Sequence, residues 1–258
     1  MGRIKALLTA GLIALGLPTQ ASDLIPLTDR ADLYGWEAVG RIDIKGGGYC
    51  TGVLIATDTV LTAAHCVYDR TTGLAYKSNA FTFSAGMRSG QAIDTRTVRH
   101  AVPHNRYRPS LGVTQKNVLF DVALLKLDSP ISSFNAAPFA LHSGLNPGKS
   151  VSVVSYGRGR DSVLSWQKKC DVLARARGLM AFNCSVTYGS SGAPVFVKEG
   201  NRARIVSLVS SGRNSDGSTV AYGMELPERV AELKRELRKV KLASAATNGV
   251  KRITVSSN

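Results

Sequence analysis

Apolar residues along this chain come in runs of about four to six, broken by glycine-, proline- and asparagine-rich pieces, which is the rhythm of short strands. The runs Ala38–Ile44, Cys50–Ala56, Val60–Ala63, Phe81–Ser84, Val98–Val102 and Val122–Leu127 read as one set. Turn-rich stretches such as KGGG (45–48) and YRPSLG (107–112) separate them. A second set follows at Val151–Ser155, Cys170–Ala174, Ala193–Val197, Ile205–Ser210 and Val220–Met224. Many short strands with little helix between them predict an all-β barrel or sandwich. Between the sets, SPISSFNAAPFALHSGL (129–145) has the Pro, Ser and Asn content of a crossing linker. The natural parse is an N-terminal β module over 36–130, a linker over 131–145 and a C-terminal β module over 146–226. The one helical pattern is PERVAELKRELRKVKL, 227–242, which puts Val230, Leu233, Leu237 and Val240 on one face and Pro227 at a tolerated first-turn position. Residues 243–258 read as a basic flexible tail, and 22–35 as either a short pro-segment or a mature N-terminus wrapping the domain.

The N-terminal end departs from this rhythm. Arg3 and Lys5 precede the apolar run Ala6–Leu17, and Pro18 and the small-residue exit Thr19-Gln20-Ala21 follow. A basic start, about 12 apolar residues and a small-x-small site describe an export signal cleaved after Ala21. A membrane span would need roughly 20 apolar residues, and no other part of the chain approaches that. Export changes how Cys50, Cys66, Cys170 and Cys184 read: an even number in an oxidising compartment, falling as two local pairs. Neither pair has CxxC spacing and no histidine stands where a zinc finger would place one, so the expectation is disulfides 50–66 and 170–184 and no metal or cofactor. Each would close a loop of about 15 residues, for which chain entropy gives about 3 kcal/mol.

Charge is one-sided, with 33 Lys and Arg against 18 Asp and Glu; the net +15 falls to +13 without Arg3 and Lys5. Such a surface favours weak, non-specific contact with polyanions. No nucleic-acid-binding motif accompanies it, so specific nucleic-acid recognition is not expected.

Candidate chemistry begins with TYGSSGAP (187–194), in which two serines stand between glycines ahead of an apolar run. Taken alone it is turn composition. TGVLIATDTVLTAAHC (51–66) ends a strand pair on His65, beside a cysteine that holds it, and a histidine suits a base near neutral pH. NVLFDVALLKL places Asp121 at the head of a strand, where a buried carboxylate needs a partner such as an imidazole N–H. The chain order is His65, Asp121, Ser191. α/β-Hydrolases run serine, acid, histidine with G-x-S-x-G; here Ala193 stands where the second glycine would, and no βαβ alternation exists.

The segments LTAAHC, DVALLKL and GSSGAPV together resemble the chymotrypsin-like (trypsin-fold) serine proteases, most closely the bacterial secreted branch that includes the glutamyl endopeptidases. The resemblance extends over about residues 36–240. It implies two six-stranded antiparallel β-barrels with a C-terminal helix, His65 and Asp121 coming from the first barrel and Ser191 from the second. It also implies a serine endopeptidase: Ser191 attacks, His65 moves the proton, and Asp121 orients the imidazole. The N–H groups of Gly189 and Ser191 would hold the oxyanion. Relatives with G-D-S-G-G-P carry an aspartate that pairs with a freed N-terminus; here Ser190 stands there. That predicts no need for one defined N-terminus, with chains starting at Ser22, Arg30 or Tyr34 comparable in turnover once folded. Ser185, by ungapped counting, would floor the primary pocket, and Val209 stands where glutamyl endopeptidases have histidine. Neither a basic nor an acidic preference is supported, and Ser210, Ser211 and Gly212 would offer a backbone edge to substrate.

Two other readings remain. One is a catalytically idle basic binding protein on the same fold, which the intact His, Asp and Ser argue against. The other is an esterase-like hydrolase with the same three groups. His100, His104 and His142 carry no expected role; Pro103 between the first two argues against a helical metal pair. The expected partner is a protein or peptide substrate, and the expected state is a secreted or periplasmic monomer.

Overall fold

The computed structural model describes residues 24–200, 202–215 and 218–250, so the segment 1–21 read as an export signal and the end of the tail, 251–258, lie outside the described residues. Six strands form a closed antiparallel barrel: β2 (Val39–Ile44), β3 (Tyr49–Ala56), β4 (Thr59–Thr62), β5 (Phe81–Ala85), β6 (Asp94–Pro103) and β7 (Ala123–Leu127), in the order β2-β3-β4-β7-β6-β5. Ile42, Val60, Phe83 and Leu125, which share one face of the paired strands, fill its interior, each fully buried. Closure leaves no unpaired edge, which is how a small all-β unit avoids exposed backbone donors.

The second unit contains β8 (Ser150–Gly157), β9 (Arg160–Ala176), β10 (Leu179–Phe182), β11 (Pro194–Glu199), β12 (Arg202–Leu208), β13 (Ser211–Ser215) and β14 (Ser218–Met224). Their order is β12-β11-β8-β9-β10-β14-β13, so β12 and β13 stand at opposite ends of the sheet. Yet only Val209 and Ser210 separate them in the chain. The sheet therefore curls until one bent strand, 202–215, joins both ends. Counted once, that strand makes the second barrel six-stranded as well. The Ser210 N–H holds the bend by donating to the Tyr222 carbonyl at 2.9 Å.

Four features were not visible in the apolar rhythm. The first half of β9 and all of β13 are too polar to stand out, and β10 is only four residues long. The fourth is β1 (Leu24–Pro26), which pairs with β9 from Leu24↔Gln167 to Pro26↔Ser165. Past it, Leu27 and Leu33 are buried, and Trp36 lies against Trp166, Phe139 and Phe196. The segment 131–145 bonds both units, through the Phe139 N–H to Leu54 and the His142 N–H to Ile205.

A short helix, α1 (Gln115–Val118), is capped by the Thr114 hydroxyl, which accepts the Asn117 N–H. The C-terminal helix α2 runs from Pro227 to Val250, eight residues past the expected end at Leu242. Ala243, Ala245 and Ala246 follow Leu242, and alanine is the strongest helix former, so a helix already docked continues through them. Val230, Leu233 and Leu237 are buried against β6 and β7, but Val240, expected on the same face, is 36 % exposed.

Candidate active site

His65 leaves β4 on a single 3-10 turn, Ala64–Val67, and the Cys50–Cys66 disulfide ties that turn to β3. Asp121 precedes β7, so the barrel's β4–β7 pairing brings the two together from 56 positions apart. The Asp121 carboxylate is nearly buried and accepts three hydrogen bonds. The His65 backbone N–H donates to Oδ1 at 2.8 Å; His65 Nδ1 lies 2.7 Å from Oδ2, and the Ser210 hydroxyl donates to Oδ2 at 2.5 Å. An ionised carboxylate only accepts, so the hydrogen sits on Nδ1 and the lone pair of the neutral ring on Nε2. Hydrogen bonds to a charged group contribute about 1.5–3 kcal/mol each, which offsets the cost of burying this one. Ser210 was expected as part of the backbone edge. It lines the cleft, its N–H donates to Tyr222, and its side chain also belongs to the Asp121 shell.

Ser191 comes from the loop ahead of β11. Gly189 and Gly192 have φ of +94° and +77°, and a side chain on either would collide, with the Tyr49 ring and with Thr51 and Thr62 respectively. The loop is fixed from the first barrel: the Thr51 N–H donates to the Ser191 carbonyl at 2.9 Å, and the Thr51 hydroxyl to the Gly189 carbonyl at 2.8 Å. With these carbonyls held on Thr51, the Gly189 and Ser191 amides have no bonding partner among the described residues. Ser191 lines the same cleft as His65 and Asp121.

Ser190, between them, is fully buried and turned away from the cleft. Its hydroxyl donates to the Tyr156 carbonyl at 3.0 Å and accepts from Arg160 Nη2 at 3.3 Å. Arg160 also donates to the Ser155 hydroxyl at 2.9 Å and to the Ser155 carbonyl. Among the described residues no carboxylate pairs with this guanidinium, and burial pushes it down to about 10. Sequence reasoning missed Arg160; a GRGR turn carries no sign that its last residue points inward.

The cleft has a volume of about 540 Å³, and its lining includes Val186, Tyr188, Val209, Ser211 and Gly212. Ser185, expected as its floor, does not line it: its N–H donates to Gln167 at 2.7 Å, and Val186 takes that place. The Val186 Cγ2 stands 2.7 Å from where a Cβ on Gly212 would be, so the two residues close the pocket together. Tyr107 lies on the opposite wall, where burial and then the Asp121 charge push its phenol up, so it stays protonated.

The second expected disulfide, Cys170–Cys184, bridges β9 to the segment after β10. Cys50, His65 and Cys66 cluster, but the two sulfurs are bonded to each other and offer no thiolate ligand. His104 Nε2 lies 2.6 Å from Glu232, and His142 Nε2 lies 2.9 Å from Glu199. Neither histidine had been given a role from sequence.

A family model described as Trypsin matches residues 25–226. The chain is 25% identical over 205 residues to a glutamyl endopeptidase of Bacillus licheniformis, covering 79% of this chain and 61% of that protein. It is 38% identical over 112 residues to serine protease SP24D of Anopheles gambiae, covering 43% and 37%. The chain thus spans less than two thirds of each of these relatives. Among solved structures, a Glu endopeptidase in complex with MPD superposes with a TM-score of 0.68 at 18% identity, covering 85% of this chain and 98% of that one. The thermostable serine protease AL20, from an extremophilic microorganism, gives 0.63 at 18% identity, covering 76% and 94%.

Proposed function

This chain belongs to the trypsin family, and from that membership we propose that it is a secreted or periplasmic serine endopeptidase working through His65, Asp121 and Ser191. One observation carries the reading: a nearly buried carboxylate bonds both the backbone and the ring of His65, and that ring shares a cleft with Ser191. Asp121 fixes the tautomer with the hydrogen on Nδ1, so Nε2 is left to take the Ser191 proton as Oγ attacks a carbonyl. The imidazolium formed is balanced by the same carboxylate. The developing oxyanion meets the amides of Gly189 and Ser191, which have no bonding partner among the described residues. His65 then gives its proton to the leaving amine, and a water repeats the sequence on the acyl-enzyme. The residue before the scissile bond meets Val186, Val209 and Gly212, an uncharged surface. Two disulfides in the described residues support export to an oxidising compartment.

The test is peptide hydrolysis by the mature protein beside Ser191→Ala and His65→Ala. Each substitution is expected to lower kcat/KM by about 10⁴-fold or more, because the three groups act as a unit. A fluorophosphonate should label Ser191. Labelling at Ser190, or unchanged hydrolysis in Ser191→Ala, defeats the assignment. Ester cleavage without any peptide cleavage would favour the esterase reading, and neither reaction would favour the binding protein.

A further inference from the structure

On the far side of His65 from Val209–Gly212, a second cavity of about 840 Å³ opens against the same site. Tyr49, His65, Arg70, Arg158, Tyr188 and Gly189 are among the residues that line it. It therefore touches both the base and one oxyanion amide. The acyl half of a substrate lies along Ser211 and Gly212, at the sheet-ending strand β13. The amine that receives the His65 proton must depart on the other side, so this cavity takes the residues after the cut.

Two guanidinium groups stand in it over one ring. Arg158 Cζ lies 4.3 Å from the Tyr188 ring centroid and Arg70 Cζ lies 5.9 Å from it. Tyr188 is 60 % exposed and lines both cavities, as Arg70 does, whereas Arg158 lines only the second, so the Arg70–Tyr188–Arg158 stack runs from the boundary into the leaving side. Arg158 is held in register, because its N–H donates to the Tyr188 carbonyl at 2.8 Å. Some arginines elsewhere on the surface pair with carboxylates: Arg41 with Asp43, Arg175 with Glu225, Arg204 with Glu199. Among the described residues, none comes within 4.0 Å of Arg70 or Arg158, although Asp161 also lines the cavity. Stacking on a ring leaves the edge of a guanidinium free, and that edge is the part that binds a carboxylate through two parallel hydrogen bonds. Two like charges at one ring repel each other until an anion arrives between them. A merely solvated pair of arginines would gain only the cation–π attraction, about 0.5–1 kcal/mol at an exposed site.

We propose that Arg70 and Arg158 form a subsite for an aspartate or glutamate side chain in the first two residues after the scissile bond. The inference rests on the serine-endopeptidase reading above. Its test is cleavage of a mixed-sequence peptide library, with the cut sites read by mass spectrometry for the wild type, Arg70→Gln, Arg158→Gln and the double variant. At low salt, Asp and Glu should be enriched over Asn and Gln about fivefold at one of those two positions, the scale of one partly exposed ion pair. The enrichment should shrink as salt rises and approach one in the double variant, while Arg158→Lys keeps part of it. Equal use of acids and amides by the wild type overturns the subsite, and so does enrichment that survives the double variant. Failure of the endopeptidase reading looks different: no cut sites at all and no phosphonate label on Ser191, which removes the subsite with it.

Discussion

Asp121 and Ser190 show how differently two buried polar side chains can be handled within one site. Asp121 is surrounded by three donors, whereas Ser190 is neutral and joins a network whose charged member, among the described residues, is Arg160. That guanidinium sits behind the loop that presents the Gly189 and Ser191 amides. Replacing it by leucine takes the Arg160 donor from the Ser155 hydroxyl and carbonyl, while the Ser190 hydroxyl keeps the Thr187 N–H, and a buried polar group left unsatisfied costs about 1–3 kcal/mol. The expected outcome for Arg160→Leu is a fall in kcat of about tenfold to a hundredfold, with KM changed far less, because the lost order is at the oxyanion amides. Steady-state kinetics with Arg160→Lys alongside is the check; equal falls in both variants, or a change confined to KM, speaks against the role. His65, Asp121 and Ser191 were legible because their motifs are local. Arg160 was not, since its partners are set by the fold.

At the scale of elements, the docking of α2 depends on one buried imidazole. His104 follows β6 and is 2 % exposed; its ring lies against Phe120, 4.9 Å between centroids, with Arg106 and Arg229 over the same phenylalanine. The Arg106 N–H donates to His104 Nδ1 at 3.2 Å, so the ring hydrogen is on Nε2, facing Glu232. Burial holds this histidine below its ordinary value of 6.5, while the bond to His104 keeps Glu232 below the usual carboxylate range. A histidine with a depressed folded value contributes stability that is present above about 6.5 and is lost as pH falls through the folded value, because the unfolded chain takes the proton first. Thermal melting of the wild type should therefore drop more steeply below pH 6.5 than that of His104→Gln. Parallel curves for the two proteins would remove His104 as the source. From sequence, the helix and its inward residues Val230, Leu233 and Leu237 were legible by periodicity. Its latch was not, since His104 and Glu232 are 128 positions apart.

For the whole molecule, the decisive addition is the N-terminal segment. β1 extends the second barrel, and Leu27 and Leu33 are buried at 3 % and 0 %. The expectation that starts at Ser22, Arg30 and Tyr34 have comparable turnover once folded concerns activity; for stability this arrangement makes the three starts unequal. Burying one leucine contributes about 1.5–3 kcal/mol, an upper range given a partly compact unfolded chain. A chain starting at Tyr34 loses both leucines and three strand pairings, so its melting temperature should fall by about 5 °C or more relative to a start at Ser22. Calorimetry on the two starts is the measurement, and matching melts would show that β1 adds nothing. Ser190 bears only on whether one terminal ammonium is required; it is silent on what the segment 24–36 holds together.

What the sequence determined by itself was whatever depends on neighbours in the chain. The strand rhythm, the cysteine pairs, the helix at Pro227 and the order His65, Asp121, Ser191 are all local patterns, and local propensity and spacing suffice to read them. Tertiary structure alone decided the rest. The closing of the second barrel through Val209 and Ser210 depends on curvature accumulated over seven strands. The replacement of Ser185 by Val186 in the pocket depends on a side chain meeting Gly212 across the cleft. Arg158 and Arg160 lie two positions apart in one tight turn, yet one stands over Tyr188 and the other reaches Ser190. Residues two apart in a strand's extension differ only by where the neighbouring chain lies, and no single stretch of sequence holds that information.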